Sequence, residues 1–211
     1  MSDFPTELAQ QSQPVKTDTL SKKGQQAAQE LFSKGYQVHF GLTADYADEI
    51  AKMALEPSIK EYCPNDYGAR FKGRETTTAW LKKGRAAYLL LKQGSSGRLE
   101  LVGYGWAGTS KSSHVPGGDT TFALRIGESG QGQGLATPFA RLIIDSSANM
   151  YDAKNFWLET WFSNGGAVHV YHKLGFVNVE EVVDERLKAD GTKVADTRLY
   201  MSLSNDLLNT D

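Results

Sequence analysis

Apolar residues along the chain recur with two periods, and the switches between them mark the predicted elements. Residues 21–33 have helical spacing, anchored by Ala28, Leu31 and Phe32. YQVHFGL (residues 36–42) alternates as a strand does. Thr43 stands where a helix cap belongs, ahead of a segment that lays Tyr46, Ile50 and Met53 on one face. Residues 57–70 keep no period and read as irregular chain with short helical pieces. Residues 75–83 predict a helix that Gly84 ends. The pattern then changes: AAYLLLK and LELVGYGWAG flank QGSSGR, which predicts a hairpin. TTFALRI (Thr120–Ile126) follows the turn-rich loop KSSHVPGGD as the third strand of this group. Next comes a helix of roughly 15–20 residues by its apolar period, with Leu135, Phe139, Leu142, Ile143 and Met150 on its inner face. NFWLETWF (residues 155–162) is an aromatic-rich strand. Residues 164–174 form a short helix that Gly175 stops, and FVNVEEVVDER and KVADTRLYMSL form a last hairpin across Asp190-Gly191.

This order predicts an α/β (α+β) layer: a mixed, mostly antiparallel sheet with helices on both faces. One crossover of the form strand–loop–helix–strand, between Phe122 and Phe162, makes a parallel pair. The 211 residues suit one domain. Residues 1–20, polar and holding Gln10, Gln11, Gln13 and Pro14, read as a flexible tail, with a single domain over residues 21–211. With 40% hydrophobic and 23% charged residues the composition is that of an ordinary globular chain. A net charge of −2 gives no electrostatic drive toward nucleic acid. No apolar run is long enough for a membrane span, and the N-terminus lacks the layout of a secretory signal. Cys63 stands alone, so it makes no internal disulfide and no thiolate zinc site. These points fit a cytoplasmic protein.

The segment with most chemistry in it is ESGQGQGLA (residues 128–136), between a strand and a helix. A helix start offers unpaired N–H groups and a partial positive charge. Glycines let an anion reach the backbone with no Cβ in the way, and Pro138 sits in the first turn, where its missing N–H costs nothing. The same features describe a plain strand-to-helix turn. A Walker loop from Gly127 would need Lys and then Ser or Thr where Gln133 and Gly134 stand. A dinucleotide fingerprint from Gly132 would need Gly where Thr137 stands.

A third pattern fits. Gln131-x-x-Gly134-x-Ala136 resembles the Gln/Arg-x-x-Gly-x-Gly/Ala loop of the GCN5-related N-acetyltransferases (GNAT). Downstream, Asn164, Ala167, Tyr171, Gly175 and Phe176 resemble that family's Asn-x-x-Ala-x-x-x-Tyr-x-x-x-Gly-Phe motif, one helix and one strand away. The resemblance spans about residues 37–203. It implies the GNAT fold with a splayed parallel strand pair, acetyl-CoA as cosubstrate, no metal, and an amine-bearing acceptor, small molecule or protein. It also implies roles. Ile126 would end the strand that pairs with the pantetheine arm and would polarise the thioester carbonyl. The backbone of Gln131, Gly132, Gln133, Gly134, Leu135 and Ala136 would hold the pyrophosphate, with the Thr137 hydroxyl adding a bond. Asn164 would cap its helix and meet the cofactor arm, and Tyr171 would protonate the departing thiolate.

Acyl transfer also needs a neutral amine, although an alkyl ammonium has a pKa of about 10, so a carboxylate or an ordered water must take a proton. Glu159 is the candidate base. It stands mid-strand in WLETW between bulky apolar residues, and the branch that acetylates ribosomal-protein N-termini resembles this strand in carrying a glutamate at the same offset. The other reading of Glu159 is a half-exposed glutamate paired to a neighbouring cation. Glu128 is a rival base at the strand exit.

The chain departs from the family at three places. Glu128 replaces a common proline, Gly165 and Gly166 weaken a helix start, and Gln131 replaces an arginine, removing one phosphate-binding cation. Elsewhere, the four histidines have no metal-site spacing. The run Lys72, Arg74, Lys82, Lys83 and Arg85 reads as a solvated helix face, with contact to a CoA phosphate as the alternative. Cys63 reads as a small core residue, and Trp106, Trp157 and Trp161 as core residues bracketing an acceptor groove. A catalytically idle acyl-CoA-binding module would share the loop without needing Glu159 or Tyr171. No motif names the acceptor, although the WLETW resemblance tilts toward a peptide amine, and a homodimer is compatible with the sequence.

Overall fold

The computed structural model describes residues 12–204. Eight strands make one sheet: β1 (Gln13–Pro14), β2 (Tyr36–Phe40), β3 (Arg85–Gln93), β4 (Leu99–Thr109), β5 (Thr120–Ile126), β6 (Asn155–Trp161), β7 (Val177–Leu187) and β8 (Lys193–Ser204). Their order across the sheet is β1-β2-β3-β4-β5-β6-β8-β7. Every neighbouring pair is antiparallel except β5 and β6. The mixed sheet with one parallel crossover is therefore as the sequence pattern predicts, and no helix among the described residues is long and apolar enough to cross a membrane.

The unbroken apolar run in β3 has a simple cause: both faces of the sheet are covered. Tyr88 and Leu90 pack on one side with α1 (Lys22–Ser33) and α5 (Ala136–Met150), against residues such as Leu31, Phe139 and Ile143. Ala87, Leu89 and Leu91 pack on the other with α2 (Ala44–Met53) and α4 (Arg74–Leu81), against Ile50, Phe71 and Leu81. Gly105 lets α5 approach, because a Cβ there would overlap the Ile143 side chain. α6 (Gly165–Leu174) covers the first face beside α5. The aperiodic stretch after α2 holds α3 (Pro57–Tyr62) and a π turn over Asp66–Arg70.

Thr43 caps α2 as its position predicts, accepting from Tyr46 N–H, and Ser21 caps α1 in the same way, accepting from Gly24 N–H. Two expectations change. Of the segment read as a tail, residues 1–11 lie outside the described residues. Residues 13 and 14 pair with Phe40 and His39, Val15 N–H donates to Val38 O (2.9 Å), and Leu20 is buried. Met150, read as inward-facing, is 47% exposed. It is the last residue of α5, and in that final turn Ala148 faces the core instead.

Asp145 of α5 joins the two helices. Its carboxylate accepts from the Ser21 hydroxyl at the start of α1, and burial raises its pKa despite that bond. A Cβ on Gly24 would fall inside the Asp145 carboxylate. A helical Gly→Ala change usually stabilises by about 1 kcal/mol. Here Gly24→Ala is expected to destabilise by roughly 1–3 kcal/mol through overpacking, read as a lower urea midpoint.

Candidate active site

The parallel pair β5/β6 holds together at only two positions, Thr120↔Phe156 and Thr121↔Trp157, and then splays. The free edge that results has a definite polarity. Asp119 C=O accepts from Ser110 N–H and Gly127 N–H donates to Val102 O, so the odd-numbered residues between them bond toward β4. By strand alternation Phe122, Leu124 and Ile126 turn their N–H and C=O groups into the splay.

At the open end of β5 the chain makes a short 3-10 turn over Glu128–Gly130 and enters α5. Gly132 (φ +73°) and Gly134 (φ +68°) take the left-handed backbone that only glycine adopts readily, and a Cβ on Gly132 would meet nothing within 4 Å. The amides of Gly132, Gln133, Gly134, Leu135, Ala136 and Thr137 find no acceptor among the described residues. The Gln131 amide instead closes the turn onto Glu128 O (3.4 Å), so the free set begins one residue later than the sequence motif. Gln131 Nε2 donates to Ser58 Oγ (2.9 Å) and Ile126 O (3.0 Å). Gln133 pins the loop, donating to Ser129 O (2.8 Å) and accepting from the Tyr36 hydroxyl. Lys34 Nζ lies 3.5 Å from Gln133 O, placing a cation from α1 beside a loop whose motif lacks its arginine. Free amides, a helix start, open space over Gly132 and the Lys34 ammonium near Gly134 fit a pyrophosphate.

Asn164 caps α6, its Oδ1 accepting from Ala167 N–H (3.3 Å). Tyr171, one helical face further on, is buried edge-on to Phe122 (6.1 Å) and Phe176 (6.0 Å). Its hydroxyl has no hydrogen-bond partner among the described residues, and burial pushes its pKa up to about 12, with the charge of nearby Arg125 opposing. The phenol therefore carries its proton at neutral pH. Tyr171 and the loop border one cavity of about 780 Å³, which also takes in Ile126, Asn164 and Glu159. Glu159 is brought to the site, yet its side chain is 45% exposed and ion-paired to Arg198 (2.9 Å), which also reaches Asp184 (3.4 Å). Glu128 is tied up elsewhere, with Ser58 N–H donating to its Oε1 (3.3 Å).

The cavity wall opposite α5 is the sheet face carrying Trp106, Arg125, Trp157, Glu159 and Trp161. All three tryptophans read as bracketing a groove line it. Its polar centre went unpredicted. Asp66, 1% exposed, binds Arg125 (2.8 Å) and Arg70 (3.2 Å) and accepts from the Tyr104 hydroxyl (3.1 Å). Burial works against the Arg125 charge, and Asp66 more than offsets it, so the guanidinium stays ionised. Cys63 sits beside this group, and burial pushes its thiol up, which suits an inert residue. The one available sequence signal was a charged residue, Arg125, inside an apolar strand. The basic run read as a solvated face divides: Arg74 is exposed and pairs with Asp48, whereas Lys83 and Arg85 line the cavity.

Residues 41–177 match the model of the Acetyltransferase (GNAT) domain family. The chain belongs to this acetyltransferase family. The matched stretch of this GNAT chain contains the loop, Glu159 and Tyr171, and ends at the start of β7. Curated proteins give no significant sequence match. Among solved structures, spermidine N-acetyltransferase from Vibrio cholerae, in complex with CoA and spermine, aligns at TM-score 0.65 and 15% identity, over 84% of this chain and 99% of that one. The Salmonella typhimurium protein yncA, with its cofactor acetyl-CoA, aligns at 0.64 and 16%, over 81% and 94%. Ribosomal-protein-S5-alanine acetyltransferase from Vibrio fischeri aligns at 0.58 and 14%, over 82% and 94%. At such identities these likenesses speak for the fold.

Proposed function

We propose that the protein transfers an acetyl group from acetyl-CoA directly to a primary amine. The observation that carries this reading is the splayed edge of β5, which runs from the cavity straight into a loop of free amides. Residues 132–137 would hold the pyrophosphate. Leu124 and Ile126 would pair with the amide-bearing arm as an added strand does, and the Ile126 N–H would meet the thioester oxygen, an oxyanion-type contact. Asn164, which lines the same cavity, would meet the arm from α6. The neighbours in complex with CoA and with acetyl-CoA support acetyl-CoA as the donor.

Two proton transfers remain. Tyr171 Oη, protonated and unpartnered, gives its proton to the departing thiolate. Glu159, open to solvent at the cavity wall, takes the amine proton through a water. Its ion pair with Arg198 orients the carboxylate, and its exposure to solvent favours relay over direct abstraction. Glu159→Gln is accordingly expected to reduce kcat/KM about 10- to 100-fold, a smaller loss than a general base typically brings. An unchanged kcat/KM would assign the proton to another group.

The direct test combines binding and turnover. At 100 times its Kd, acetyl-CoA is expected to stabilise the protein by about 2.7 kcal/mol. Thiol release should follow with at least one member of a panel of amino acids, peptides, polyamines and aminoglycosides. Absence of any thermal shift with acetyl-CoA would sink the proposal.

A further inference from the structure

The cavity is lined by five cations and three carboxylates, so it is electropositive, and the excess is concentrated at one end. Arg198 is matched by Glu159 and Asp184. Glu61 is matched by Arg186 (2.7 Å). Asp66 serves Arg125 and Arg70 together. Arg85 has no carboxylate partner among the described residues. Its Nη1 donates only to the carbonyls of Trp80 (3.0 Å) and Lys83 (3.2 Å). Its guanidinium lies 3.8 Å from the Trp80 ring centre and 5.5 Å from that of Trp106, and Arg70 lies 5.0 Å from the same Trp80 ring. Two guanidiniums thus share one indole beside a cavity, with half a carboxylate between them. Burial and then the Arg70 charge both push the Arg85 pKa down, the sign of a cation held where it lacks an anion.

The missing anion is not the pyrophosphate. Arg85 pairs in register with Gly108, and Gly108 with Thr121, at the closed end of the splay. Thr121 lies five residues before Ile126, about 16 Å along the strand from the glycine loop. Between Arg85 and Glu159 stand the backbones of β4 and β5, a lateral separation of about 14 Å; Arg85 reaches inward over Trp106 of β4, whereas Glu159 is held by Arg198 of β8. Trp106 and Trp157 line the space between.

We propose that the acceptor is a primary amine that also carries a carboxylate, held with its anionic group between Arg85 and Arg70 and its amine toward Glu159. Charge-assisted hydrogen bonds from a guanidinium fork suit a planar carboxylate, and the same cations repel a polyamine. This inference rests on the acetyl-transfer reading and refines its substrate.

The test uses matched acceptors, each amino acid or short peptide beside its C-terminal amide, with spermidine as an amine that has no carboxylate. Thiol release from acetyl-CoA is measured for the wild type, Arg85→Gln and Arg85→Lys. The wild type is expected to favour the carboxylate member at least about ten-fold in kcat/KM. Arg85→Gln should bring that ratio close to one, chiefly by raising KM, and Arg85→Lys should restore part of it. A thermal shift with acetyl-CoA in each variant shows that the fold and donor site persist. Equal use of acid and amide by the wild type, preference for spermidine, or a ratio unaffected by Arg85→Gln would overturn the inference while leaving acetyl transfer standing. Failure of the wild type to bind acetyl-CoA or release thiol with any amine would overturn the acetyl-transfer reading, and this inference with it.

Discussion

Tyr171→Phe is expected to lower kcat about 10²- to 10⁴-fold, the usual worth of a positioned general acid, with little change in stability or in stabilisation by acetyl-CoA. The substitution keeps the ring and so its contacts with Phe122 and Phe176. It removes only a hydroxyl that has no hydrogen-bond partner among the described residues, so no buried group is orphaned. The sign of the pH dependence follows from the same environment. A pKa raised to about 12 means that the proton stays on the phenol as pH rises through the neutral and mildly basic range. Wild-type activity should then show no basic limb from Tyr171 there. Steady-state rates across pH for the two proteins, with the acetyl-CoA thermal shift as the fold control, check both points. Full turnover in Tyr171→Phe would move the acid role to solvent.

Asp66→Ala is expected to cost the fold as much as a large core truncation. The carboxylate is buried and answers two guanidiniums and a tyrosine hydroxyl. Its removal leaves the Arg125 charge, whose side chain is only 15% exposed, facing Arg70 with nothing between. Breaking a buried ion pair from one side costs about 3–5 kcal/mol. At roughly 2–4 °C per kcal/mol for a chain of this size, Tm should fall by roughly 6–20 °C. The double variant Asp66→Ala with Arg125→Met should recover part of that loss, because the stranded charge is gone. A melting temperature for Asp66→Ala within about 2 °C of wild type would mean the pair adds nothing to stability, since median surface ion pairs contribute only about 0–1 kcal/mol.

The parts that could be read in the chain are those whose signal is local. Alternation marked β2, the turn-rich loop KSSHVPGGD marked the start of β5, the turn residues at QGSSGR marked the β3–β4 hairpin, and Asn164 and Gly175 marked the ends of α6. The glycine loop taken alone read equally as a plain turn, and it was the resemblance of Gln131, Gly134 and Ala136, together with Asn164 to Phe176, that pointed to the family. Met150 failed for a related reason: apolar period counts every turn of a helix alike, and only the sheet's extent decides which turn still has something to cover. Residues 13 and 14 were read as tail because a two-residue edge strand has no period at all.

The sequence by itself determined the element order, the glycine-rich turn between β5 and α5, and the helix bearing Tyr171. Each depends on residues within a few turns of one another. Tertiary structure alone decided the charge pattern of the cavity. Asp66, Arg70, Arg85 and Arg125 come from a π turn, its end and two strands, and are neighbours only because the sheet brings them to one face. It also decided that Glu159 stands paired and half exposed, since the partner, Arg198, is thirty-nine residues away on the adjoining strand. Electrostatic interaction depends on separation in space and on burial, and neither is written in the spacing of residues along the chain.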